Sequence, residues 1–207
     1  MKNLKNILLA VLAVLAIASC SKKDEPIAPP APVNEEEVIT TATLVLTPVG
    51  GGTTATPIIT LKSYDANVND STPPIVTGVV PFVINTTYNG VISVLNESVS
   101  PAKNISAEIL AEAADHQFFY QTLSGLPMFM YTPVAVAPYN YDTNGKPLGF
   151  KTVFTTTTAV PQSANASMKI TLKHQGNKCA AGVAAGDITN ATGESDFEVV
   201  FYGIRVQ

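Results

Sequence analysis

The sequence predicts an all-β protein, an immunoglobulin-like β-sandwich of seven to nine mostly antiparallel strands with one short helix. Three observations lead there. Thr, Val, Ile, Tyr and Phe are abundant and Trp is absent. Fifteen Pro and thirteen Gly punctuate the chain at short intervals, leaving segments of strand length between turn signals. Where a period is readable it is two: in Ala166–His174, Met168, Ile170 and Leu172 point one way and Ser167, Lys169, Thr171 and Lys173 the other. Such alternation fits sheets with one solvated face, and the missing alternation of strands with long helices disfavours a doubly wound sheet.

The domain is expected to span residues 35–207. Glu35-Glu36-Glu37 reads as a solvated strand start, with help in binding a cation as its other reading. Val38–Thr47 follows as a strand, with Val38, Ala42, Leu44 and Leu46 on one face. Gly50-Gly51-Gly52 make a hairpin turn and not a phosphate cradle, because Thr53–Tyr64 has strand composition and no helix terminus follows. Pro57–Tyr64 is the second strand and Asp65–Pro74 a polar loop. Ile75–Ile84 is broken extended structure, since Pro81 has no N–H for a central ladder. Tyr88, Ile92 and Val94 share a face of the strand Tyr88–Leu95.

Pro101–Ala114 carries the one helical stripe, Ile105, Ile109, Leu110 and Ala113, with Asn104 or Ser106 as its cap and Glu108 and Glu112 exposed. Further strands are expected at Phe118-Phe119-Tyr120, Leu126–Tyr131, Val134–Tyr141 and Phe150–Thr158. After Ala166–His174, residues 176–193 form a long loop rich in Gly, Ala and Asn. Asp196–Val206 closes the fold: Phe197, Val199 and Phe201 face inward, and a bulge at Gly203 returns Ile204 and Val206 to that face.

Candidate chemistry is sparse. Asn140-Tyr-Asp142-Thr-Asn144-Gly145 places oxygen side chains at alternate positions before a glycine, as a calcium loop does. Its twelfth position is Lys151 where such a loop has Glu, and an Asn144-Gly145 hairpin turn is the simpler reading. His116-Gln117 and His174-Gln175 repeat a pair, and His174 has the parity of its strand's apolar face. With Cys179 these histidines suggest zinc or copper, but three candidates fall short of four ligands, and core or edge histidines are the expectation. Cys179 itself is expected to be a small buried apolar residue. No nucleophile elbow, His-Glu-x-x-His, phosphate loop or Cys-x-x-Cys occurs.

The first residues carry an address. Lys2 and Lys5 precede a short apolar run, Ile7–Ala18, and Ile17-Ala18-Ser19-Cys20 closes it. The run is too short for a stable membrane span. The four closing residues resemble the lipobox of bacterial lipoproteins, which implies removal of residues 1–19 and lipidation of Cys20. Several acyl chains, at about 0.8 kcal/mol per buried methylene, make such attachment effectively permanent. Lys23-Asp24-Glu25 is similar to the export signal that sends Bacteroidota lipoproteins to the outer face of the outer membrane. Residues 20–34, with Pro26, Pro29, Pro30 and Pro32, form a tether reaching roughly 40 Å if extended.

Asp70-Ser71-Thr72 resembles the short O-glycosylation sequon of the same phylum, with Ser71 as acceptor. His116-Gln117-Phe118-Phe119-Tyr120, Leu172-Lys173-His174-Gln175 and Gly186-Asp187-Ile188-Thr189-Asn190 resemble segments of small Bacteroidota lipoproteins. That resemblance transfers no catalytic residues. Similar chains sometimes carry a periplasmic-binding label, which this strand pattern contradicts. Twelve basic residues less Lys2 and Lys5, against sixteen acids, leave a mature charge of −6. With no basic tract, nucleic acid is a poor partner.

The sequence thus points to a lipid-anchored binding or adhesion module, with a membrane anchor and a surface protein or glycan as partners, and not to an enzyme. A small-molecule or metal carrier using calcium or zinc is the alternative. A surface hydrolase is a second, and it requires two carboxylates facing each other in a cleft.

Overall fold

The computed structural model describes residues 37–52, 55–67, 72–78, 81–123, 130–133, 141–157, 159, 166–174 and 176–207. Cys20, Lys23, Asp24, Glu25, Ser71 and Asn140, and most of the strands expected at 126–131 and 134–141, lie outside them.

Glu36–Gln207 is one compact unit. Its strands are β1 (Thr41–Pro48), β2 (Ile59–Tyr64), β3 (Ile75–Thr77), β4 (Thr87–Leu95), β5 (His116–Thr122), β6 (Met130–Pro133), β7 (Lys151–Thr155), β8 (Ala166–His174) and β9 (Glu194–Ile204). A short helix, α1 (Ile105–Ala111), joins β4 to β5. Six strands form one sheet in the order β3-β2-β1-β4-β7-β6, and three form another in the order β5-β8-β9. The pairings within both sheets are antiparallel. Among the described residues the predicted sandwich-like all-β class, strand number and single α-helix are therefore present.

The two sheets share one core. Ala42, Leu44, Leu46, Ile59, Leu61, Tyr88, Ile92, Val94 and Phe154 come from the large sheet; Phe118, Tyr120, Met168, Ile170, Leu172, Val199 and Phe201 come from the small one. Burying each large side chain stabilises the fold by roughly 1.5–3 kcal/mol before chain entropy is counted. Aromatic edges join the layers, with Tyr120 5.3 Å from Phe154 and Phe118 5.2 Å from Phe150 between ring centroids.

Local details depart from simple periodicity. Ile39, not Val38, enters the core ahead of β1; Val38 is exposed. Asn104 stands at the helix start but makes no side-chain cap. The Ser106 hydroxyl instead accepts the Val94 amide at 2.8 Å, which stitches α1 to β4. The loop after β8 contains two short 3-10 turns, Val183–Ala185 and Ile188–Asn190. Gly203 makes the expected irregularity, since the β8–β9 register shifts between Ala166/Ser167 and Ile204 and Val206 are buried.

Gly149 occupies a position that only glycine fills. Its φ is +81°, and an added Cβ would lie 2.7 Å from the Phe118 carbonyl oxygen. Its own carbonyl accepts the buried Tyr120 hydroxyl at 2.9 Å. Gly149→Ala is expected to lower stability by about 2 kcal/mol in a urea titration with an unchanged m-value.

Candidate metal centre

Strand pairing builds a polar centre at one end of the small sheet. His116 opens β5 and His174 ends β8, and the two are direct cross-strand partners. Their rings lie 4.2 Å apart, tilted by 31°. His174 shares the face of Met168, Ile170 and Leu172, so alternation drives it inward, as its parity predicts.

Asp196 joins them through a defect in the ladder. Leu172 faces Phe197 while Lys173 faces Ser195, so Asp196 is the extra residue of a bulge. Regular alternation with the inward Phe197 would send its side chain to the other face. The bulge turns it inward instead. Glu37 arrives from the segment leading into β1, just ahead of the buried Ile39.

The four side chains are almost wholly enclosed, at 0% exposure for His116, 4% for His174, 6% for Glu37 and 1% for Asp196. His116 Nε2 lies 3.0 Å from Glu37 Oε1 and 3.4 Å from Asp196 Oδ2. His174 Nδ1 lies 3.3 Å from Asp196 Oδ1 and 3.6 Å from Glu37 Oε2. One ligand atom from each residue can be chosen so that all four lie within 4.8 Å of one another. On the far side of its ring, His116 Nδ1 is 3.1 Å from the Glu112 carbonyl oxygen. A carbonyl only accepts, which assigns the proton to Nδ1 and aims Nε2 at the carboxylates.

Burial and charge act against each other here. Burial, then the neighbouring Asp196, raise the Glu37 carboxyl above the usual carboxylate range, against the pull of His116. For Asp196 burial works upward, but contacts with His116 and Glu37 and the imidazole charges outweigh it and hold the carboxyl low. Burial disfavours a charged His116, yet its contacts with Asp196, the Glu112 carbonyl and Glu37 prevail and push it up to about 9. Two imidazoles and two carboxylates can share protons or enclose a cation.

The structure unites two of the sequence candidates and separates the third. Cys179, expected to be buried, is exposed, because a turn of the loop after β8 carries it at the surface. The Asn144-Gly145 segment forms the hairpin turn, with Tyr141 bridging Pro147. Asp142 Oδ1 accepts the Asn144 and Lys146 amides, and its Oδ2 lies 3.1 Å from the Lys178 ammonium. Glu37 and Asp196 were not legible as partners of the histidines. The two carboxylates that a hydrolase would require do meet, but in an enclosed centre.

No protein-family model, curated protein or solved structure matches the chain.

Proposed function

We propose that this protein is a lipid-anchored binding module of the bacterial outer envelope, facing the cell exterior, that holds a partner and does not transform one. The observation that carries this reading is the coincidence of a basic start, a short apolar run and small residues before Cys20. The Lys23-Asp24-Glu25 run and the proline-rich tether support export to the surface and reach from it. The enclosure of the polar centre supports holding over catalysis, because a substrate must reach the groups that act on it.

The test is made in the native host. The parent protein should incorporate labelled palmitate, partition into detergent, and be shaved from intact cells by protease. Cys20→Ala should lose the label and the detergent partitioning entirely. An unmodified Cys20 thiol in the mature protein, or free solubility of the parent, would overturn the reading. Cross-linking on intact cells should then recover a surface protein or glycan, and recovery of neither counts against a binding role.

A further inference from the structure

We infer that Glu37, His116, His174 and Asp196 form a closed, four-ligand site for a divalent transition metal, zinc in the first place. Glu37 Oε2, Asp196 Oδ2 and His116 Nε2 are buried and make no hydrogen bond. Buried polar atoms are nearly always paired, and an unpaired one costs about 1–3 kcal/mol, more where charge is involved. All three belong to one enclosed cluster of potential metal ligands.

The nature of the atoms narrows what that is. Carboxylate oxygens are acceptors only, and because the Glu112 carbonyl holds a proton on Nδ1, the Nε2 of His116 offers its lone pair beside them once its own proton leaves. Two carboxylates and two imidazoles at 3.0–3.6 Å need a positive centre among them, a proton on the imidazole or a metal ion in its place. The Glu112 carbonyl on the far nitrogen of His116 is the support that metal-ligating histidines take, fixing tautomer and ring orientation.

Distance and donor type point to the ion. Ligands held about 2.0–2.1 Å from zinc at tetrahedral corners stand about 3.3–3.4 Å apart. The shortest imidazole–carboxylate separations, which run to different oxygens of each carboxylate, are 3.0–3.6 Å, and one ligand atom from each residue lies within 4.8 Å of the other three. Calcium takes six to eight oxygens at about 2.3–2.6 Å, and magnesium keeps several waters; neither suits two imidazoles in an enclosed site. Imidazole with carboxylate suits zinc and its first-row neighbours. Two carboxylates neutralise a divalent ion, so the loaded centre carries no net charge when both imidazoles are neutral.

Four protein ligands leave no position for water, which marks a holding site and not a hydrolytic one. The ligands come from the segment before β1 and from β5, β8 and β9, so the ion would fasten the entry to the large sheet onto the small sheet.

The test uses the full chain purified without chelator or affinity histidines. Elemental analysis should find about one zinc per chain, and zinc should raise the unfolding temperature. Cobalt in its place should give the intense visible bands of a tetrahedral ion, a readout that needs no variant. Glu37→Gln and Asp196→Asn should keep the circular dichroism of the parent and lose the metal. A parent chain that is metal-free and takes up no added zinc would overturn the assignment, leaving a proton as the bridge. So would variants that bind zinc as tightly as the parent, or calcium or magnesium found at one per chain in place of a transition metal.

Discussion

Stripped of metal by a chelator, the domain is expected to lose about 3 kcal/mol of folding stability as the pH rises from 6.5 to 9. The sign follows from His116. Its imidazole titrates near 6.5 in the unfolded chain and is pushed up to about 9 in the fold. Below 6.5 both states hold the proton and the full stabilisation is present. Above it the unfolded chain releases the proton while the folded chain keeps it, so stability falls until the folded group titrates as well. Glu37, raised by burial first, contributes with the same sign, a loss that begins as the pH rises past the usual glutamate value of 4.5. Asp196 is held low, so its contribution is present above the usual aspartate value of 3.8 and is lost only in acid, outside this window. His116→Gln should flatten the profile between 6.5 and 9. Zinc should reverse the trend: the ion must displace the proton from Nε2, so its affinity climbs over the same range. Chemical denaturation at a series of pH values, with chelator and with zinc, checks both halves.

The second large effect is expected at Lys178→Met, which should cost about 3 kcal/mol. Lys178 and Asp142 are 5% and 2% exposed at the side chain and form an ion pair at 3.1 Å. The ammonium also donates to the Ala113 carbonyl at 2.8 Å, so one side chain ties the loop after β8 to the hairpin and to the turn after α1. Burial lowers the Lys178 pKa, against the pull of Asp142. Burial works upward on Asp142, but the Lys146 amide and the Lys178 ammonium outweigh it and hold the carboxyl low. Removing the lysine strands a buried carboxylate, whereas removing both charges leaves no unpaired buried charge and costs only the bond to the Ala113 carbonyl. Lys178→Met with Asp142→Asn should therefore recover about 1–2 kcal/mol of the loss, a coupling that a double-mutant cycle in urea reads directly.

Much of the fold was legible because its strands obey period two. Ala166–His174 is an unbroken strand with Met168, Ile170 and Leu172 buried, and the bulge at Gly203 was readable from where Ile204 and Val206 needed to point. The same rule hid half of the centre. Carrying the parity of Ala42, Leu44 and Leu46 back past the start of β1 sends Val38 inward and Glu37 outward, but the strand begins at Thr41 and the chain before it follows a different course. Counting back from Phe197 likewise sends Asp196 outward, and the bulge at that residue reverses it. Both acids sit where alternation fails, and no composition signal marks such a place when its extra residue is not glycine. The histidines were visible as a repeated His-Gln pair, but their facing register depends on the β5–β8 pairing, which brings together residues 58 apart. Cys179, the sequence's natural third ligand, lies on a loop whose turns carry it to the surface.

Anomalous diffraction on either side of the zinc absorption edge, from crystals of the protein grown with zinc, tests the buried centre most directly. One strong peak is expected among His116 Nε2, His174 Nδ1 and the carboxylates of Glu37 and Asp196, about 2.0–2.2 Å from each ligand. Density showing His116 hydrogen-bonded directly to Glu37 or Asp196, with zinc absent or bound elsewhere, would contradict it.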